Sequence, residues 1–244
     1  MKKNILMLLA ILLIHNTAYA STLSDKLSDS VVQNRKVVST VDITVDIGIS
    51  VQELQDTFKK MFLYDTDFWN VQGNLKWDEN NKQVTKIFLE YKYNDNISEK
   101  NSEIEATVNK IATEALCLNK QYERAEFVYN YLLKYFDYSK EDNPTLYDLV
   151  SDKKGNCHAF AQLYQLIMRK LNIPCESVVS TSMNHQWNII KIDGKWYNVD
   201  CSLASMCKNY NLYNTWFCKS DKFFEGFGYK IDKPICFSGL YDYN

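Results

Sequence analysis

Apolar and polar residues alternate along the stretch that begins at Val37. Val37, Val41, Ile43, Val45, Ile47, Ile49 and Val51 share one face, with Thr40, Asp42, Thr44 and Asp46 on the other. A period of two suits a half-buried β-strand, because successive side chains leave a strand on opposite sides. Val51 to Leu63 reads as a short helix and Asn80-Asn81 as a turn, before a second alternating run at Thr85, Ile87, Leu89, Tyr91 and Tyr93. Together these signals predict an N-terminal β-rich subdomain over residues 36–100.

The period then becomes helical. Ile104, Val108, Ile111 and Ala115 form one apolar stripe, and Ala125, Val128, Leu132 and Phe136 a second; stripes at this spacing bury one side of a helix. Asn143-Pro144 breaks the chain, and Leu146-Tyr147-Asp148-Leu149-Val150 leads into a turn at Lys153-Lys154-Gly155. A third helix is predicted from Cys157 to Leu171, buried along Phe160, Leu163, Ile167 and Leu171, and stopped by Asn172-Ile173-Pro174.

Three short strands follow: Glu176 to Ser180, Gln186 to Ile192 and Lys195 to Cys201. Asp193-Gly194 is a strong signal for a two-residue hairpin, since both types accept the positive φ that such a turn needs. A turn centred there gives partner numbers that sum to about 387, placing Gln186 opposite Cys201 and Trp187 opposite Asp200. His185 then lies one residue from the partner of Asp200, so the two side chains can meet at one end of the sheet. The order of elements predicts an α+β fold whose main core covers residues 101–244.

The first residues carry a different pattern. Lys2 and Lys3, the apolar run Ile5 to Ile14 and the small-x-small Ala18-Tyr19-Ala20 are the three parts of a signal peptide over residues 1–20. The run is too short for a bilayer-spanning helix. Cleavage near Ala20 implies a secreted or periplasmic chain starting near Ser21, with residues 21–35 as a polar, flexible arm. No second long apolar segment follows, so no membrane span is expected in the mature chain.

Charge narrows the partners. Of 28 Lys and Arg, removal of Lys2 and Lys3 leaves 26 against 30 Asp and Glu, a mature net charge of −4. No basic stripe is present, which argues against nucleic acid. With 46% hydrophobic and 24% charged residues the chain can build an ordinary core, and the 17 Tyr, 12 Phe and 5 Trp are read as core packing before they are read as ligand grooves.

Export changes the meaning of the cysteines. Seven remain after cleavage: Cys117, Cys157, Cys175, Cys201, Cys207, Cys218 and Cys236. An odd number in an oxidising compartment leaves one thiol over. If that thiol is Cys157, the other six can form three disulfides in any of fifteen connectivities, and five of these six cysteines fall after residue 170. Zinc is disfavoured, because the chain has no Cys-x-x-Cys pair and only His158 and His185 remain as mature histidines.

Cys157 is also the thiol best placed for chemistry. A cysteine in the first turn of a helix faces unbonded N–H groups and the positive end of the helix dipole, both of which favour thiolate. The same N–H groups can donate to the oxyanion of a tetrahedral intermediate. His185 would accept and return a proton, and Asp200 would orient the imidazole, completing the groups that cysteine-based acyl transfer needs. Taken singly, each has a blander reading as half-cystine, core histidine or strand-end aspartate. His158 neighbours the thiol, but adjacent helical residues do not face each other, so it is read as structural or lining the site.

The stretch from Tyr122 to Leu203 resembles the transglutaminase-like core of the papain-fold superfamily, of the secreted bacterial type. Its helix motif corresponds to Gly155-Asn156-Cys157-His158-Ala159-Phe160-Ala161, its histidine motif to His185-Gln186-Trp187-Asn188, and its aspartate motif to Asp193-Gly194-Lys195-Trp196-Tyr197-Asn198-Val199-Asp200. The resemblance implies a catalytic helix packed on an antiparallel sheet, with Cys157, His185 and Asp200 as the catalytic residues; from the residues themselves no cofactor or metal is expected. Two positions depart from the pattern: Gln186 stands where alanine is usual, and Cys201-Ser202 where a Thr-Trp pair often follows the aspartate. Some family members use a tryptophan upstream of the cysteine to complete the oxyanion hole. None lies between Trp77 and Cys157, which leaves Tyr138 and Tyr147, with Trp187, as candidates for the substrate or oxyanion side. No clustered acidic loop supports calcium dependence.

The leading expectation is an exported cysteine enzyme that forms an acyl-thioenzyme from a peptide or protein amide, cell-wall peptides included, and passes the acyl group to water or to an amine. The alternative is a binding or scaffold domain that keeps the fold and recognises a cell-wall or protein partner. A thiol–disulfide protein is disfavoured by the lack of Cys-x-x-Cys.

Overall fold

A computed structural model of the chain describes residues 40–50, 71–78, 83–93, 95–141, 144–180, 182–210, 212–231 and 235–242. The predicted signal peptide over 1–20, the arm over 21–35, the helix over 51–63 and the turn at Asn80-Asn81 lie outside the described residues. Two compact units divide the chain, Met1–Ile97 and Ser98–Asn244.

The first unit holds three antiparallel strands, β1 (Thr40–Ser50), β2 (Val71–Asp78) and β3 (Gln83–Tyr91), in the order β1-β3-β2. Both alternating runs are strands, and their register pairs Val41 with Leu89 and Ile43 with Ile87. β2 was not among the predicted elements, although Val71, Gly73, Leu75 and Trp77 alternate with polar residues. It pairs Leu75 with Ile87 on the other side of β3.

The second unit mixes helix and antiparallel sheet. Its helices are α1 (Ile97–Leu116), α2 (Gln121–Tyr135), α3 (Leu146–Asp152), α4 (Cys157–Lys170), α5 (Cys201–Cys207) and α6 (Asp221–Gly226). Two-residue strands β4 (Asp137–Tyr138) and β5 (Lys154–Gly155) pair in parallel, and β6 (Cys175–Ser180), β7 (His185–Ile192), β8 (Lys195–Val199) and β9 (Phe217–Lys219) form an antiparallel sheet in that order. Every position of the predicted helical stripes is buried: Ile104, Val108, Ile111 and Ala115, then Ala125, Val128, Leu132 and Phe136, then Phe160, Leu163, Ile167 and Leu171.

α4 begins and ends where its sequence says. Asn156 caps it, its Oδ1 accepting from Ala159 N at 3.0 Å and so satisfying one of the first-turn donors. At the other end Asn172 takes the left-handed conformation (φ 55°), and Ile173 N donates to Met168 O at 2.9 Å before Pro174, a closure that needs a residue tolerant of positive φ. Buried amides then tie the helix to the sheet. Asn188 Nδ2 on β7 donates to Ala161 O at 3.1 Å, and Gln165 Nε2 to Cys175 O at 3.2 Å.

The hairpin is the predicted one over most of its length. Asp193 and Gly194 both have positive φ (48° and 82°), and Ile192 pairs with Lys195, Ile190 with Tyr197 and Asn188 with Val199. The ladder ends there, so the expected pairs Trp187–Asp200 and Gln186–Cys201 do not form, and the strand expected to reach Cys201 stops at Val199. Two features turn the chain away. Asp200 caps α5 through a bond from Leu203 N, and its own N–H donates to Trp216 O at 2.8 Å. β9 enters beside β8 with a register shift between Asn198 and Val199, opposite Cys218 at φ 54°. A bulge at this place re-aims the residues next to it.

Gly155 is where space decides the residue. A Cβ there would sit 2.9 Å from Leu149 Cδ1, 3.0 Å from Leu149 Cβ and 3.1 Å from Ala159 Cβ. Gly155→Ala is therefore expected to destabilise the protein by about 1–3 kcal/mol through overpacking. Urea unfolding measures it, and an unchanged midpoint would show that α3 and α4 can move apart at no cost.

Candidate active site

Three elements converge on one cleft of about 540 Å³ lined by Tyr138, Lys140, Asn156, Cys157, His158, Val179, Ser180, Asn184, His185 and Gln186. α4 supplies Cys157 at its first residue, β7 supplies His185 at its first residue, and Asp200 sits just past the end of β8. Asp200 is 1% exposed and lies behind His185, away from the cleft lining.

The three side chains form one hydrogen-bonded row. His185 Nε2 lies 2.5 Å from Asp200 Oδ2, and the Cys157 thiol hydrogen-bonds to the same imidazole. With Nε2 committed to the carboxylate, the thiol's partner is Nδ1. Asp200 is itself held at both oxygens. Ser202 Oγ and Leu203 N donate to Oδ1 at 2.7 and 2.8 Å, and Tyr229 Oη donates to Oδ2 at 2.6 Å.

Electrostatics follow from that row. Burial works to raise the Cys157 thiol, but the His185 hydrogen bond, the Gln186 backbone N–H and the His185 charge outweigh it and bring the pKa below the ordinary value. For His185 burial opposes the charged form, yet Asp200 and Cys157 raise it to about 10. Burial also works against the Asp200 charge, and the His185, Leu203 and Tyr229 donors hold it below the usual carboxylate range. The row thus favours the imidazolium form of His185 and shifts Cys157 towards thiolate, with a buried carboxylate behind the imidazole.

Tyr138 reaches the cleft by an indirect route. β4 pairs Tyr138 with Gly155, two residues before Cys157, and Tyr138 N donates to Ser205 Oγ of α5 at 3.2 Å. Burial, then the negative charges of Cys157 and Asp200, push its phenol up to about 12, so it stays protonated and able to donate. His158 also lines the cleft, with Nδ1 2.8 Å from Gln186 Oε1. Burial lowers its pKa, against the opposing effect of the Gln186 bond, so at pH 7 it is neutral.

The other two aromatic candidates are elsewhere. Trp187 is 1% exposed, and its indole N–H donates to Asn198 Oδ1 at 2.9 Å. That donor is already used, so Trp187 cannot serve an oxyanion; it stacks behind His185, with centroids 5.9 Å apart at 22°. Tyr147 lies on α3 with the Lys100 ammonium 5.3 Å above its ring, outside the cleft lining. Neither is among the residues that line the cleft.

All seven cysteines are free, with no disulfide among them. Burial raises the thiols of Cys175, Cys201, Cys218 and Cys236 above the ordinary value, whereas that of Cys157 is lowered. Sequence reasoning did not single out Tyr229, and it met Ser202 only as a departure from the family pattern, without a role. Ser202 follows Asp200 and could have been suspected as its partner. Tyr229 stands 29 residues beyond Asp200 in a segment without periodicity, and no local signal marks it.

Comparison with known proteins adds the following. No curated protein matches the chain. A transglutaminase crystal structure is similar at 13% identity and a TM-score of 0.38, over 66% of this chain and 50% of that one. The periplasmic domain of TgpA from Pseudomonas aeruginosa, bound to ethylmercury, is similar at 11% identity and a TM-score of 0.33, over 54% of this chain and 64% of that one. The chain thus spans half of the first structure and 64% of the second. No helix among the described residues is long and apolar enough to cross a membrane. Residues 109–201, which take in Cys157, His185 and Asp200, match the model of the transglutaminase-like superfamily.

Proposed function

We propose that the protein is an exported cysteine-dependent acyl-transfer enzyme acting on the amide bonds of peptides or proteins, with Cys157 as nucleophile, His185 as general acid–base and Asp200 as its orienter. The observation that carries this reading is the unbroken row from thiol to imidazole to buried carboxylate, whose thiol end opens into the cleft. Attack by the Cys157 sulfur on the amide carbon forms the C–S bond and moves the carbonyl electron pair onto oxygen. First-turn N–H groups of α4 and the Tyr138 hydroxyl are the donors proposed to receive that oxyanion. Collapse breaks the C–N bond as His185 gives its proton to the leaving nitrogen, leaving an acyl thioester and neutral imidazole. Water, activated by that imidazole, is the favoured acceptor because it is always present; an amine in its place gives transamidation.

Export rests on the signal-peptide pattern over residues 1–20, which also sets the proposed limits: arm 21–35, β-rich subdomain 36–100 and catalytic core 101–244. Iodoacetamide should label Cys157 ahead of the other six cysteines, with an acid midpoint below the free thiol value of about 8.5. A screen of peptide amides, cell-wall peptides included, read by mass spectrometry against Cys157→Ala, then identifies the acyl donor. Finding Cys157 unreactive, or held in a disulfide, would sink the proposal.

A further inference from the structure

Among the groups around the site, Tyr229 is one that the acyl-transfer scheme leaves without a task. It comes from beyond the family match, after α6, and is 5% exposed. Its hydroxyl donates to Asp200 Oδ2 at 2.6 Å, the same oxygen that His185 Nε2 reaches at 2.5 Å. Its ring does not depend on that bond for its place. It meets Trp187 edge-on at 5.1 Å and 88°, lies 4.4 Å from Phe224 and 5.7 Å from Trp216, and packs edge-on to His185 itself at 5.9 Å.

Two donors on one carboxylate oxygen compete for its electron density. A hydroxyl on Oδ2 makes the carboxylate a weaker acceptor for the imidazolium, and an imidazolium held less strongly is a better acid. That matters here because His185 must give its proton away when the amine leaves, and a general acid works best when its pKa is near the working pH. We propose that Tyr229 is a positioning residue that shares Asp200 Oδ2 with His185, weakens the carboxylate's hold on the imidazolium and so lets the proton pass to the leaving amine.

Other titratable groups near the pair do not compete for this role. Tyr129 of α2, Tyr138 of β4 and Cys201 of α5 interact electrostatically with Asp200, and burial raises all three so that they stay neutral. Cys207 of α5 lies near Tyr229, and Cys157 is the thiolate already assigned.

The inference rests on the acyl-transfer reading, and its test separates the two. In Tyr229→Phe the ring and its packing remain and only the hydroxyl is lost. The His185 Nε2 proton, followed by NMR at neutral pH, is expected to move downfield as Oδ2 becomes a stronger acceptor. Release of p-nitrophenolate from p-nitrophenyl acetate, which needs no proton on the leaving group, should be retained, whereas hydrolysis of the corresponding p-nitroanilide should slow by about tenfold, the effect of one hydrogen bond to a charged group. A merely structural tyrosine would lower both rates together and leave the resonance in place or broaden it, and that result overturns the proposal. If the wild-type protein turns over neither compound, the acyl-transfer reading has failed, and the resonance alone decides whether Tyr229 governs the Asp200–His185 bond. Ser202→Ala, which removes a donor from Oδ1, supplies a second variant should Tyr229→Phe not fold; it is expected to move the resonance the same way, and no movement again overturns the proposal.

Discussion

His185→Ala is expected to abolish amide turnover and to shift Cys157 alkylation to alkaline pH while the protein remains folded. The reason lies in what opposes the imidazole. Burial and the Asp200 charge both push the Cys157 thiol up, and the His185 hydrogen bond and charge are the main forces against them. Without His185 the thiol rises, so the acid midpoint of alkylation moves to higher pH. A thiol with the ordinary pKa of about 8.5 is only about 3% ionised at pH 7, so the alkylation rate at pH 7 should fall below that of the wild-type protein. Turnover loses more, because the proton source for the leaving nitrogen goes with it; a loss on the order of 10⁴ or greater is expected. Circular dichroism checks the fold. An alkylation profile unchanged by the substitution would remove His185 from the mechanism.

Trp187→Ala is the largest expected effect on stability, about 3–5 kcal/mol by urea unfolding, the usual cost of truncating a buried aromatic. The ring is fully enclosed and touches His185 and Tyr229, and its loss also leaves Asn198 Oδ1 without the indole donor. Trp187→Phe separates these contributions. It keeps most of the ring, and the unpaired acceptor should cost about 1–3 kcal/mol. Both variants should also slow Cys157 alkylation, since His185 loses the surface that holds its plane. A Trp187→Ala protein within about 1 kcal/mol of wild type would show that the site rests on other supports.

Much of this site could be read in the chain because its parts obey local rules. Asn156-Cys157 is a cap followed by a first helical residue, and the cap bond to Ala159 N is present. Asp193-Gly194 takes the two positive φ values that its residue types favour, which sets the register bringing β7 and β8 together. The stripes on α1, α2 and α4 needed only period and hydrophobicity, and each is buried. β2 was legible too, since its alternation is as regular as that of β3, but Gly73 and Asn74 weaken its strand preference.

What stayed hidden depends on contacts between distant segments. The hairpin rule carried on past Val199 predicts Trp187 opposite Asp200. It fails there because Trp216 O takes the Asp200 N–H and β9 inserts with its bulge. Aromatic type alone could not separate Tyr138, which β4 holds beside Gly155, from Tyr147, which faces Lys100. Nor could it tell that Trp187 spends its N–H on Asn198.

By itself, then, the sequence determined the helix that presents Cys157, the hairpin that brings His185 towards Asp200, and the order of thiol, imidazole and carboxylate. These are properties of neighbouring residues, governed by backbone preferences and by period. Only the tertiary structure decided how the carboxylate is held. Asp200 is charged and buried, so each of its oxygens needs donors, and the protein draws them from Ser202, Leu203 and, 29 residues beyond it, Tyr229. Desolvating a charge is a cost felt only once the chain has closed over it, which is why no pattern along the chain announces the tyrosine that shares it.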